Sequence, residues 1–305
     1  MTTKENVKRR GSGGIRRTRG ERIGNRIIVV LLGMLSIVMI YPFWHVLMYS
    51  ISDGAKALGG GLFFWPKGFS LFSYGLVLRN AQIWVSYKNT ILKTLIGTAL
   101  SVLLSALTAY PLSIRRLKGR RIISMYIFFT MLFSGGTIPT YLLVKNLGLI
   151  DTFAALILPG AVSAYNMFIL RNYMLSLPPE LEESARIDGA RATTILFRII
   201  LPLSTPSLAA IAMFYGVSNW NSYMDALLYT NKLSLQTLQL YLRQVLLQTS
   251  SSNAAMTVAG KTEEYVSDTQ VQMVIVAVSV IPILIAYPWL QRFYTKGITV
   301  GAVKG

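Results

Sequence analysis

Apolar residues gather in six stretches, roughly 27–51, 87–113, 122–144, 153–175, 203–220 and 270–291, divided by polar or glycine-rich connections. Each has about the length that an α-helix needs to cross a hydrocarbon core of ~30 Å. Lipid offers the backbone no hydrogen-bond partner, so segments of this kind cross as helices. The pattern predicts an all-α polytopic membrane protein with six transmembrane helices. The first stretch, Ile27–Ile51, is too long for the apolar core of a cleaved signal peptide, about 7–15 residues.

Composition narrows the chemistry. Of 305 residues, 53% are hydrophobic and 14% charged, with a mean hydropathy of +0.49; a soluble domain carries about 25% charged residues. There is no cysteine, which excludes a disulfide scaffold, thiol catalysis and cysteine metal sites. A single histidine, His45, leaves no ordinary histidine zinc site or catalytic triad, and it reads as a packed span residue. No span contains Asp or Glu; only His45 and Lys93 lie inside one, with Lys88 and Arg171 near ends where they can snorkel. Ion-coupled secondary transport usually needs buried carboxylates, and an intramembrane enzyme needs a metal or nucleophile constellation. Both alternatives are disfavoured, so energy for uphill movement must enter from elsewhere.

The net charge of +18 first suggests nucleic acid, but its distribution argues otherwise. Segments 1–26, 114–121, 171–202 and 292–305 hold 21 of the 30 lysines and arginines. The remaining connections hold eight, and Lys93 is in a span. The positive-inside rule then puts both termini in the cytoplasm and makes the charge a topology signal, with no nucleic acid as partner. The expected division is a basic cytoplasmic tail, 1–26, and a six-span domain, 27–305. The tail's Lys8-Arg9-Arg10 and Arg16-Arg17-Thr18-Arg19 suit anionic membrane lipid or a disordered retention signal. Gly260-Lys261-Thr262 resembles the end of a phosphate-binding loop, but Ala255 stands where that loop needs glycine. The chain itself is expected to hold no nucleotide, cofactor or metal.

Outside, the connection 52–86 runs through Gly59-Gly60-Gly61, and its aromatic stretch Phe63–Tyr74 is expected along the outer membrane surface. The connection 145–152 is short. The third, 221–269, is the longest, polar and serine-rich around Thr249–Asn253, either functional or a spacer. Ser134-Gly135-Gly136-Thr137-Ile138-Pro139 predicts a kink in the third span. Tyr165-Asn166 falls near the middle of the fourth span, and Tyr215, Trp220 and Asn221 close the fifth. Aromatic faces stack on the C–H faces of sugars while amides bond their hydroxyls. Tyr165, Asn166, Trp220 and Asn221 are therefore candidates for a sugar path, with helix packing as the competing account.

The inner connection 176–202 is the most specific segment. Pro178-Pro179 suits a helix start. Glu180, Glu182 and Glu183 complement the positive end of the helix dipole, and Gly189 can take the left-handed conformation that ends the helix. A second helix is expected over about 191–201, stopped by Pro202. Together they form a helix–glycine–helix elbow at the inner face, suited to docking a soluble partner.

These residues resemble a family. Glu183-Ser184-Ala185, Gly189, Ile199, Leu201 and Pro202 match the EAA loop of ABC importer membrane subunits, with serine in place of the family's first alanine. Asp188-Gly189-Ala190 is similar to the carbohydrate-uptake branch, typified by the smaller membrane subunit of the maltose transporter. Trp65-Pro66-Lys67-Gly68, Gly148-Leu149-Ile150-Asp151-Thr152, Trp220-Asn221 and the tail Lys296–Gly305 extend the likeness, and the basic N-terminal tail resembles the complex-oligosaccharide and polysaccharide subgroup. The resemblance implies a type I ABC importer transmembrane domain in a bacterial cell membrane, forming half of a path for oligosaccharides or polysaccharide fragments; a non-sugar solute is the alternative. It implies a second, homologous membrane subunit, two cytoplasmic ATPase subunits that hold ATP and Mg, and an extracytoplasmic sugar-binding protein. Glu183, Ala185, Asp188, Gly189, Ala190, Leu201 and Pro202 are then the ATPase-coupling residues. Glu183 would meet a basic residue of the ATPase, and Gly189 would allow close approach at the elbow.

Overall fold

The computed structural model describes residues 19–249 and 266–302. Among these, the regular elements are helices, and the one β contact is an isolated antiparallel bridge between Ser52 and Phe69. Three long helices, Arg19–Ser50, Ala81–Ser113 and Asp268–Ala302, supply the first, second and sixth spans. The other three spans are bent pairs. Arg120–Leu132 and Thr137–Asn146 meet at 112°, 153–160 and Ala164–Leu175 at 55°, and 192–203 and Thr205–Asn221 at 83°. Counting each pair once gives the six expected spans.

The third span is broken, where a kink was expected. Gly136 lies at φ +90°, a conformation that L side chains rarely adopt, and Pro139 sits in the first turn of the helix that follows. The fourth span breaks at 161–163, so Tyr165-Asn166, near the middle of the span as expected, opens its second helix. The Ser163 hydroxyl caps that helix on the N–H of Asn166.

The second span is the post on which the others are mounted. Asn89, Lys93, Gly97, Ser101 and Ser105 recur every four residues and are all buried. Small residues along such a row let neighbouring helices approach closely. A Cβ at Gly97 would lie 3.0 Å from the amide nitrogen of Asn219 on the fifth span. Further inward, Ala106, Ala109 and Tyr110 join Met167, Leu170, Ile211 and Tyr215 in a buried apolar cluster spanning the second, fourth and fifth spans.

Two outer connections depart from expectation. Phe63 is buried against Tyr49 and beside His45, its ring turned inward where the surface was expected; Phe64 and Trp65 do remain exposed. His45 also approaches the Tyr41 hydroxyl at 3.4 Å. The connection after the fifth span folds: Met224–Tyr229 and Leu238–Thr249 are helices that pack on the bundle. Its Ser250–Asn253 run and Gly260-Lys261-Thr262 lie outside the described residues. Asp151, at φ +59°, ties this region to the connection 147–152. Its carboxylate accepts the N–H groups of Asn231 (2.5 Å) and Lys232 (3.3 Å), which holds its pKa below the usual carboxylate value.

The folded connection also partners the ionisable residue of the second span. The Lys93 ammonium, fully buried, donates to Asp225 at 2.9 Å; the Asp225 side chain is 37% exposed and also accepts the Ser222 hydroxyl at 2.6 Å. Breaking a buried ion pair costs about 3–5 kcal/mol because an uncompensated charge remains. The cost should be lopsided here. Asp225→Ala strands a buried ammonium, whereas Lys93→Met leaves a carboxylate that still reaches solvent and Ser222. In thermal unfolding of the purified protein, Asp225→Ala should melt well below Lys93→Met, and Lys93→Met/Asp225→Ala should recover part of the loss. Equal melting of the two single variants would show that the stranded lysine is not what the pair protects against.

Candidate functional site

The elbow is built as its residues dictate. Pro179 precedes a helix, Glu180–Ile187, whose first turn holds all three glutamates. Its end is a Schellman closure: Gly189 N–H donates to the carbonyl of Arg186 (3.0 Å) and Ala190 N–H to that of Ala185 (2.9 Å). Gly189 stands at φ +78° with nothing within 4 Å of where a Cβ would project. The need for glycine is thus backbone conformation alone. Asp188 is the helix C-cap and exposed. Ala185 is buried and Ala190 packs beside it, fastening the elbow to Tyr110, Met174 and Ile195 of the main apolar cluster.

The second arm differs from the sequence expectation. It begins as an α-helix at Ala192–Ile195, widens into a π turn over Leu196–Ile200, and runs through Pro202 to Leu203. Proline lacks the N–H that would bond the carbonyl of Arg198, and its ring crowds that carbonyl, so the helix widens before Pro202 and continues past it. Leu201 N–H reaches back five residues to Leu196. The chain then turns at buried Ser204 and enters the fifth span, with Pro206 in its first turn. The second arm of the elbow and the fifth span are therefore joined directly at Ser204, with an 83° bend between them.

The charges divide into inner and outer pairs. Glu182 turns inward, accepting Arg186 at 2.5 Å and the Tyr110 hydroxyl at 3.4 Å, and its carboxylate raises the Arg186 pKa further. Glu183 meets Arg116 of the preceding inner connection at 3.0 Å, with the two side chains 55% and 85% exposed. A pair in that much solvent is worth about 0–1 kcal/mol and is readily exchanged. Beside it Ile187 is 86% exposed, and Leu181 and Phe197 also face outward. Sequence reasoning missed Arg116 and these three apolar residues. The available signal was Ile187, an isoleucine on the otherwise polar side of a short charged helix.

The four path candidates separate by role. Tyr165 is exposed while Asn166 beside it is buried. Trp220 packs with the cluster of Val77, Ile83 and Leu238, its indole N–H without a protein partner, and Asn221 is exposed at the end of the fifth span. Tyr215 brings the two regions close, because its hydroxyl accepts the Ser163 N–H at 2.9 Å and shares a 2.7 Å hydrogen bond with Ser105. Trp220 lies about 7 Å of helical rise beyond it.

Comparison with known proteins agrees with this architecture. Residues 16–300 match the family described as binding-protein-dependent transport system inner membrane component. The chain is 40% identical over 284 residues to the polygalacturonan/rhamnogalacturonan transport system permease protein YtcP of Bacillus subtilis, covering 93% of this chain and 99% of that one. It is 39% identical to the protein LplC of the same organism, covering 94% and 97%. Among solved structures it matches a chain of a bacterial ABC transporter involved in the import of the acidic polysaccharide alginate, with a TM-score of 0.82, 32% identity, and 91% and 99% coverage. An exposed helix–glycine–helix elbow leading into a helical, multi-pass membrane bundle, matched over nearly its whole length, makes this chain a member of the binding-protein-dependent transport system inner membrane component family, with the fold of a type I ABC importer transmembrane domain.

Proposed function

We propose that this chain forms half of the translocation path of an ATP-driven importer of oligosaccharides or polysaccharide fragments. The observation that carries the reading is the packing of the elbow: its exposed tip at Glu183–Ile187 is anchored through Ala185 and Ala190 in the same apolar cluster as the second arm, which joins the fifth span at a hydrogen-bonded corner. The transport roles named for the relatives, polygalacturonan/rhamnogalacturonan for one and alginate for another, support the substrate class. In this reading a second, homologous membrane subunit completes the path, two cytoplasmic ATPase subunits hold ATP and Mg and seat on the elbows, and an extracytoplasmic binding protein delivers the sugar. Both termini, with the basic tail 1–26, face the cytoplasm. Residues 1–18 lie outside the described residues, and Arg19–Arg26 already belong to the first helix.

The coupling role predicts a graded series at the elbow. Gly189→Val places a β-branched residue at positive φ, a strained choice, whereas Gly189→Asn is tolerated there. Gly189→Val and Glu183→Ala should reach the membrane at normal levels yet bind the ATPase weakly or hydrolyse ATP without importing sugar. Gly189→Asn should stay close to wild type. Normal ATPase association and normal uptake in the Gly189→Val/Glu183→Ala double variant would sink the coupling role.

Orientation is checked with single cysteines and an impermeant thiol reagent in intact cells. Sites in 114–121 and 176–202 should stay unlabelled while those in 221–249 react. Reaction of the elbow from outside would invert the scheme. For the sugar path, alanine at Tyr165, Asn166, Trp220 or Asn221 should lower uptake while assembly and basal ATP hydrolysis persist. Unchanged uptake in all four would make them packing and anchoring groups.

A further inference from the structure

A cavity of about 720 Å³ opens beside the start of the third span and plays no part in the elbow's coupling role. Four arginines line it: Arg115, Arg120, Arg121 and Arg171. None of its lining residues is acidic, and the three ion pairs found among the described residues leave all four arginines out. Like charges gathered this closely repel unless an anion sits among them. Arg171 is held in place from behind: its Nε donates to the carbonyl of Leu112 at 2.9 Å, and its guanidinium lies 5.8 Å over the Phe168 ring.

The remaining wall is apolar. Met125 and Phe128 continue the lining, and both belong to a helix, Arg120–Leu132, that buries none of its residues. Ile122 and Met125 are 76% and 60% exposed, so this wall is continuous with a surface that suits hydrocarbon. The cavity shares its side of the molecule with the elbow, since Arg116 of the same connection pairs with Glu183. A guanidinium fork matches phosphate oxygens in two-point geometry, and a neighbouring apolar strip suits an acyl chain.

We propose that this cavity binds the phosphate of an anionic phospholipid headgroup, with an acyl chain laid along Met125 and Phe128. The site fixes the height of the third span's start against the inner leaflet, next to the elbow.

The test uses the full transporter, purified with its co-expressed subunits and placed in nanodiscs of phosphatidylcholine with a minor share of phosphatidylglycerol. Lipid retained after detergent exchange is counted by mass spectrometry. Wild type should retain phosphatidylglycerol preferentially, and Arg120→Gln/Arg121→Gln should retain about thirtyfold less, the loss expected from two basic contacts at a membrane surface. Arg120→Lys/Arg121→Lys keeps the insertion-directing charge and loses the fork. It should fall by a smaller factor, and it decides the matter where the glutamine variant inserts poorly. Millimolar inorganic phosphate should leave the retained lipid in place. Its displacement by phosphate would mark a free-anion site and overturn the lipid assignment. Equal retention by wild type and both variants, or cross-linking of Arg121→Cys to the ATPase subunit in place of lipid, would overturn it as well.

Discussion

A backbone polar group inside hydrocarbon must find its partner within the protein, and most of this fold follows from that constraint. Three of the six spans are broken, and each break frees N–H and C=O groups where water is scarce. The second span supplies partners to the backbone of the connection after the fifth span and, through Tyr215, to one of these breaks. The Asn89 amide donates to the carbonyls of Ser234 and Gln236, and the Thr90 hydroxyl accepts the N–H of Leu238. Ser105 shares a hydrogen bond with Tyr215, which in turn accepts the N–H of Ser163 at the break in the fourth span. A nearly apolar helix with a few polar residues at four-residue spacing thus does two jobs. It packs closely through its small residues and holds the backbone of the connection after the fifth span through Asn89 and Thr90.

The same constraint separates two kinds of polar chemistry along the bundle. At the end of the bundle away from the elbow, contacts are buried or half-buried and specific: Lys93 with Asp225, Gln270 with the carbonyl of Ser52, Asn89 with two carbonyls. Removing Asp225 strands the fully buried Lys93 ammonium in a poor solvent, which is expensive. At the elbow end the pairs are exposed. Glu183–Arg116 lies in water, and a cavity of about 320 Å³ separates this connection from the elbow helix. A partner can replace an exposed pair at little cost, so the elbow is chemically prepared to exchange its contacts while the outer half is prepared to hold them.

Much of this was readable from residue order. Six apolar stretches gave six spans, and Pro178-Pro179, three glutamates and Gly189 gave a helix and its left-handed end. What escaped depended on contacts between distant residues. Lys93 looked unpaired because its carboxylate, Asp225, lies 132 positions later in a segment with no strong periodicity. Phe63 looked like an interface aromatic because sequence cannot distinguish a ring turned to lipid from one turned to Tyr49. Ser134–Pro139 signalled a kink, but whether glycine and proline bend a helix or end it depends on what receives the freed groups. Pro202 was read as a stop, yet a π turn placed before it lets the helix run on.

The π turn also bears on how a push could travel. An α-helix ended by proline at 202 would leave the elbow as a loosely tethered hairpin. Because the backbone instead widens over Leu196–Ile200, Leu196 and Ile200 stay buried in the main cluster and the rod remains continuous up to Ser204. At the bend, Ser204 N–H bonds the carbonyls of both Ile200 and Leu201, and Leu208 N–H bonds that of Ser204, so the corner is hydrogen-bonded on each side. The elbow and Tyr215, whose hydroxyl accepts the Ser163 N–H at the break in the fourth span, are thus linked through one buried cluster and this corner.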